Sequence, residues 1–545
     1  MASETSGDAD LPVDVLVIGA GPSGAVVTHT AAAAGLSVMV LEQGDWVNPS
    51  DFPANHPEWE LLIQHDWSHD PNVRKLPSDY PVDVSESDMW PVMFNAVGGG
   101  SIFYGAEWPR LVPSDFRVKT LDGVGDDWPI SYDDLKPYHD EVDAFIGVSG
   151  VDGDTAYPDG LEYPLPPNPL GKAGLKGAEA ANSLGWHWWP GTNAIASQSF
   201  KTLEQCGRWG TCEWGCPQGA KASFDLIYLP QAQKLGAKIV TGARVRRVVT
   251  DDATGLATGA EYVDRDGVVQ FQAARTVVLC ANGVGTPRLL LLSASDRHPN
   301  GLANSSDMVG RNLMLHPNCS ALGFYEESLE SWRGPAGQLI HSLQFYETDK
   351  SRGFVRGSKM HILPTPGPLN AIEAHRQLDF EELWGPAVHK VARLAQNGIL
   401  WAANTEDLPE PHNRVTLSPD LVDGDGLPAP KVEYRISENT RKILKFTVDR
   451  MVELHEAAGA VRIITQEIWV DQPGHLLGTA RMGNDAATSV VDSYGKTHDV
   501  DNLYIADGSI FVTSGSANPT STISALALRV AKNLVAQVVA RKAHA

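Results

Sequence analysis

The stretch Val13–Gly44, VDVLVIGAGPSGAVVTHTAAAAGLSVMVLEQG, decides the fold. A β-branched run, a glycine turn, an Ala-rich segment and a second apolar run predict strand, helix and strand, one βαβ unit. Gly19, Gly21 and Gly24 form G-x-G-x-x-G between the first strand and the helix, with Ser23 inside the pattern. At such a turn, bare backbone N–H groups and the positive end of the helix dipole meet a pyrophosphate. Glu42 closes the second strand, where a carboxylate accepts hydrogen bonds from a ribose diol. A plain helix start with an exposed Glu42 is the competing reading. An acid at this position disfavours a 2′-phosphate, which leaves FAD or NAD and not NADP.

At 545 residues the chain exceeds what one core usually serves, so two domains are expected, one of them interrupted. A net charge of −24 argues against nucleic acid or an anionic membrane surface as partner, and its plain reading is solubility. MASETSGDADLP reads as a polar leader without signal-peptide features, and no apolar window is expected to span a membrane. Five cysteines, an odd count, favour a reducing, cytoplasmic setting. Composition leaves a homo-oligomer open.

Strand-and-turn rhythm returns at Ala237–Arg247, Ala260–Val269 and Arg275–Cys280, before a Leu-rich helix at Thr286–Ser293. Segments 48–95 and 150–230, with repeated Pro and no clear period, read as lid and loop excursions. From Ser320 to Ile464, alternating runs such as SLQFYE, FVRGSKMHIL and RVTLS predict a mostly antiparallel sheet with a helix near Glu438–Ala458 behind it.

Four further blocks carry a family resemblance. They are VGGGSIFYGAEWPR from Val97, ANGVGTPRLLLLS from Ala281 with VGRNLMLHP from Val309, GHLLGTARMG from Gly474, and NLYIADGSIFVTSGSANPTSTISALALRVA from Asn502. In order and spacing the chain resembles the glucose-methanol-choline (GMC) flavin oxidoreductases, with the bacterial pyranose oxidase and C-glycoside 3-oxidase branch as the expected neighbourhood. The resemblance implies an α/β fold: an FAD-binding Rossmann-type domain over 11–319 and 465–545, with a substrate-binding domain inserted at 320–464 on a mostly antiparallel sheet. It also implies that Gly98, Gly99, Gly100 and Ser101 pass close to the flavin, followed by Tyr104, Gly105 and Ala106. Tyr104 stands where the family often has Asn. The backbone of Val245 is expected at the adenine. Asp507 and Gly508 resemble the second FAD-contacting motif, and Asn518, Pro519 and Thr520 complete the cofactor set. Phe103 stands where pyranose 2-oxidase-type enzymes carry a flavin-tethering His, so a non-covalent FAD is expected.

Oxidising an alcohol needs a base beside the hydroxyl and a hydride acceptor beside the carbon. His475 occupies the family's base position, and Asn518 that of its partner, whose amide supports the developing alkoxide. The implied reaction is oxidation of a secondary ring hydroxyl, at C2 or C3 of a pyranose or in a C-glycoside, with O2 as acceptor. One alternative is a sugar or polyol dehydrogenase serving a quinone or haem partner. A non-catalytic flavoprotein is a remoter one. Cys206, Cys212 and Cys216 resemble the three-Cys [3Fe-4S] site of membrane-linked glucose dehydrogenases; a loop with free thiols or a disulfide is favoured, so no metal is assigned. Trp186, Trp188, Trp189 and Trp332 fit either a sugar-stacking surface or core.

Overall fold

A computed structural model of the chain describes residues 11–365, 367–369, 371–372, 384–471 and 473–544; most of the expected leader, residues 1–10, lies outside them. β1 (Val15–Ile18), α1 (Pro22–Ala33) and β2 (Val38–Glu42) form the expected βαβ unit. β1 lies between β2 and Val277–Leu279, and Leu503–Ile505 and Lys238–Thr241 complete a five-stranded parallel sheet. All four residues of β1 are buried, as an unbroken apolar run requires when both faces of a parallel sheet are covered.

The Ala237–Arg247 segment divides. Lys238–Thr241 joins the parallel sheet, while Arg244–Thr250 starts an antiparallel meander with Ala257–Val263 and Val269–Ala273. The Leu-rich helix spans Asn282–Leu292.

A six-stranded antiparallel sheet runs in the order Arg462–Gln466, Asn318–Phe324, Gly398–Thr405, Ser358–Leu363, Ile340–Ser342, Trp189–Pro190. Its last strand comes from the 150–230 excursion. Behind it packs the helix Glu438–Ala457, whose buried Ile443, Leu444, Thr447, Val448, Met451 and Leu454 recur at helical spacing. RVTLS begins Arg414–Val422, which pairs with Pro428–Tyr434 in a separate sheet completed by Asp83–Ser87. SLQFYE does not continue as a strand. Ile340–Ser342 ends at its first residue and a turn follows, in which the Tyr346 hydroxyl donates to Asp115 Oδ2 at 2.8 Å and accepts from the Ser516 N–H at 3.0 Å.

The expectation that no apolar window suits a membrane span needs correction. The helix segment Thr520–Ala543 contains a stretch long and apolar enough to cross a membrane. More than half of its apolar window is buried, and the helix packs on α1 and on Tyr132–Ile146, so its apolarity serves the core.

Candidate active site

The N-terminus of α1 faces a cavity of about 390 Å³ lined from both large sheets. Gly21 is the N-cap of α1 and offers no side-chain cap, so the first N–H groups of the helix remain available to an anion. A Cβ placed at Gly21 or Gly100 would meet no atom within 4 Å, which marks both as open cavity wall. Gly19, Ser23, Glu42, Gly99, Ser101, Tyr104, Gly105, Ala106, Val245, Asp507, Gly508, Pro519 and Thr520 also line it.

Gly24 and Gly98 stand behind this wall. A Cβ at Gly24 would lie 2.0 Å from the Gly19 carbonyl oxygen, so this glycine lets α1 close on the turn. Gly98 has φ +97° and donates its N–H to the Ala20 carbonyl at 2.9 Å, tying the second glycine loop to the first.

Glu42 is buried rather than exposed. Its Oε2 accepts from the Ala20 N–H and its Oε1 from the Gly44 N–H, both at 2.8 Å, and burial raises its pKa to about 6. The carboxylate thus fixes the turn as well as facing the cavity. Glu42→Ala is expected to lower FAD occupancy of the purified protein markedly, while flavin that remains bound is reduced at a near-normal rate, since Glu42 holds the α1 turn and takes no part in the proton transfer. Wild-type occupancy would remove Glu42 from the site.

Asp507 also ties local structure together through its carboxylate. Its two oxygens accept from the Asn282 and Ser509 N–H groups and from the Thr286 and Ser509 hydroxyls, at 2.6–3.0 Å. The carboxylate holds the helix Asn282–Leu292, and Asp507 and Gly508 both line the cavity. Val245 pairs with Tyr262 just before a β-bulge, which breaks the regular ladder beside it. Phe103 stacks on Phe94 at 3.9 Å between ring centroids and offers no nucleophile. Acid precipitation of the holoprotein is expected to release the yellow colour into the supernatant; colour retained in the pellet would contradict this.

His475 and Asn518 line the same cavity. His475 Nδ1 lies 2.9 Å from His316 Nδ1, with the rings edge to face. Each neutral imidazole carries one proton, so one Nδ1 donates to the other. If His475 is the donor, its Nε2 is unprotonated and able to take a proton, and His316 carries its proton on Nε2. Burial, and then the neighbours His316, Lys359 and His361, hold the His475 pKa well below the ordinary imidazole value, which keeps the ring neutral.

Asn518 Oδ1 accepts from Lys359 Nζ at 2.5 Å and from Asn404 Nδ2 at 3.0 Å. Lys359 and Asn404 are cross-strand partners in the six-stranded sheet. Lys359 is fully buried and ion-paired with Glu107, and His361 Nε2 lies 3.4 Å from the other Glu107 oxygen. Sequence reasoning assigned no role to His316, Lys359, Asn404, Glu107 or His361. His316 and Glu107 sit inside the quoted family blocks; Lys359 and His361 lie in the strand run FVRGSKMHIL and Asn404 in no quoted stretch, and their place beside Asn518 and Glu107 comes from strand pairing. None of the four tryptophans named from sequence lines the cavity, whereas Trp469 does.

Cys206, Cys212 and Cys216 are free thiols, and among the described residues no group of three or more His, Cys, Asp or Glu side chains is arranged to hold a metal. Burial, then its two neighbouring cysteines, pushes the Cys212 pKa up to about 12. Lys221 stitches this loop to the glycine segment, donating to the carbonyls of Ile102 and Cys212 at 2.7 Å and Tyr104 at 3.2 Å.

The chain is 42% identical to 2-methyl-1,2-propanediol dehydrogenase of Mycolicibacterium austroafricanum, over 95% of this chain and 94% of the relative. It is 32% identical to the fructose dehydrogenase large subunit of Gluconobacter japonicus (97% and 98% covered) and 30% identical to paromamine 6′-oxidase of Streptomyces fradiae (98% and 93%). Among solved structures, a pyridoxine 4-oxidase from Mesorbium loti shares the fold at a TM-score of 0.65 and 19% identity, over 96% of this chain and 99% of that one. These relatives do not single out the pyranose oxidase and C-glycoside 3-oxidase branch, and the nearer names are those of dehydrogenases of alcohols and sugars. Residues 13–318 and 409–527 match the two halves described as GMC oxidoreductase, and the chain belongs to that family, whose cofactor is FAD.

Proposed function

We propose that the chain oxidises an alcohol carbon of a polyol or sugar, with His475 as base and Asn518 as hydroxyl-binding partner. The observation that carries this reading is the placing of both side chains on one cavity with the α1 glycine turn. Bound FAD supplies the hydride acceptor. In the tautomer whose Nδ1–H donates to His316, His475 receives the hydroxyl proton on Nε2. The Asn518 amide steadies the oxygen as negative charge develops on it. The residues present suit a dissociable FAD: an uncapped helix N-terminus, open glycine wall and a buried Glu42.

As donor we propose a secondary ring hydroxyl of a pyranose or glycoside, with O2 as acceptor; the relative named paromamine 6′-oxidase supports an oxidase, though its 6′ position is exocyclic. A second reading, a dehydrogenase with a separate electron acceptor, is favoured by the names of the two more similar relatives. The three thiols do not form a ligand set in the described conformation, so no step is routed through a cluster. The test is oxygen uptake, with and without an added dye, against 2-methyl-1,2-propanediol, D-fructose, D-glucose, methyl β-D-glucoside and paromamine. Peroxide formed without dye supports the oxidase. Turnover only with dye replaces it with the dehydrogenase, and oxidation confined to an acyclic diol overturns the ring-hydroxyl donor.

A further inference from the structure

The buried Lys359–Glu107 pair lies outside the roles given to His475 and Asn518. Lysine has donors and no acceptor, so the Asn518 atom that faces its ammonium must be the carbonyl oxygen. Asn404, on the neighbouring strand, adds a second donor to the same oxygen. Both lone-pair directions of Oδ1 are then occupied, and the amide cannot flip without setting its NH2 against an ammonium. The two N–H groups of Asn518 are left for the cavity that the residue lines. A cation on the carbonyl oxygen also draws electron density from the amide nitrogen and strengthens its N–H groups as donors.

We propose that Lys359, neutralised by Glu107, is a positioning residue that sets Asn518 as a hydrogen-bond donor to the substrate oxygen and strengthens that donation as the oxygen becomes alkoxide. This rests on the proposed role of Asn518. It explains a feature otherwise costly to the fold: an ammonium with no exposed side-chain surface, paired with a nearly buried carboxylate, reaching a residue at the cavity wall. Glu107 cancels the charge that would otherwise oppose burial, and His361 stands at its second oxygen.

The test is a double-mutant cycle on anaerobic flavin reduction, using the compound among the five above that reduces the wild type fastest. Lys359→Met alone would strand a buried carboxylate, so the pair is neutralised together as Lys359→Met/Glu107→Gln. The neutral pair is expected to slow reduction on the order of tenfold with little change in the half-saturating substrate concentration. In an Asn518→Ala background the same two changes are expected to slow it less than about twofold, because the residue through which they act is gone. The thermal unfolding midpoint of each flavin-free variant is read alongside. Equal slowing in both backgrounds, or no slowing in either, overturns the proposal; a lower midpoint with equal slowing marks the pair as purely structural. If no compound reduces the wild type, the oxidation reading itself falls, and this inference with it.

Discussion

His475→Ala is expected to slow anaerobic flavin reduction by about a hundredfold to ten-thousandfold, with FAD occupancy and the half-saturating substrate concentration little changed. The proposed base makes its interaction while the hydroxyl proton is leaving and much less in ground-state binding, so the loss concentrates in the rate. The pH dependence sharpens the prediction. Burial holds the His475 pKa well below the ordinary imidazole value, so the wild-type base is unprotonated at neutral pH. Reduction should therefore stay flat from about pH 6.5 upward, through the range in which an ordinary histidine titrates, and fall only in more acid solution. Stopped-flow reduction across pH checks both statements. A normal rate in His475→Ala places the base elsewhere, and a wild-type rate that falls through an ordinary imidazole pKa contradicts the buried, neutral ring.

The second large effect separates two glycines of one motif. Gly24→Ala is expected to destabilise the protein by about 3 kcal/mol, because the new Cβ would lie 2.0 Å from the Gly19 carbonyl oxygen and the obstacle is backbone. That corresponds to roughly a 150-fold change in the folding equilibrium, and FAD occupancy should fall with it because the turn is displaced. Gly21→Ala is different. Gly21 has φ −73°, which any residue adopts, and its Cβ would meet no protein atom within 4 Å. This variant should keep a near-wild-type unfolding midpoint without flavin and yet bind FAD poorly, since the methyl group projects into the cavity. Thermal unfolding with and without FAD, beside the flavin-to-protein absorbance ratio, distinguishes them. Equal behaviour of the two variants would contradict the assignment of one to packing and the other to the ligand wall.

The parts of the fold that were legible in the sequence are those where one residue type has one physical use. The glycine turn, the unbroken apolar β1 and the acid at the end of β2 specify a parallel sheet and its dinucleotide crevice from a single short segment. The helix Glu438–Ala457 was readable from its period. SLQFYE failed as a strand because a tertiary hydrogen bond of Tyr346 outweighs local alternation. The helix Thr520–His544 shows that apolarity and length do not by themselves distinguish a membrane span from a core helix.

The candidate site divides in the same way. His475 and Asn518 stand in recognisable blocks, but what orients them comes from distant chain. His316 meets His475 across 159 positions, and Lys359 and Asn404 reach Asn518 from adjacent antiparallel strands. No local pattern records such pairings, because strand register is set by the whole sheet. Asp507 stands on the cavity as its motif implies, and the hydrogen bonds that take up its carboxylate come from Asn282, Thr286 and Ser509.

The most direct measurement is the flavin absorbance of the holoprotein, followed anaerobically as polyols, sugars and glycosides are added. At least one alcohol is expected to bleach the oxidised flavin band, with its carbonyl product appearing in equal amount. A flavin left oxidised by every alcohol in the panel, while dithionite still bleaches it, would contradict the claim that this cavity oxidises alcohols.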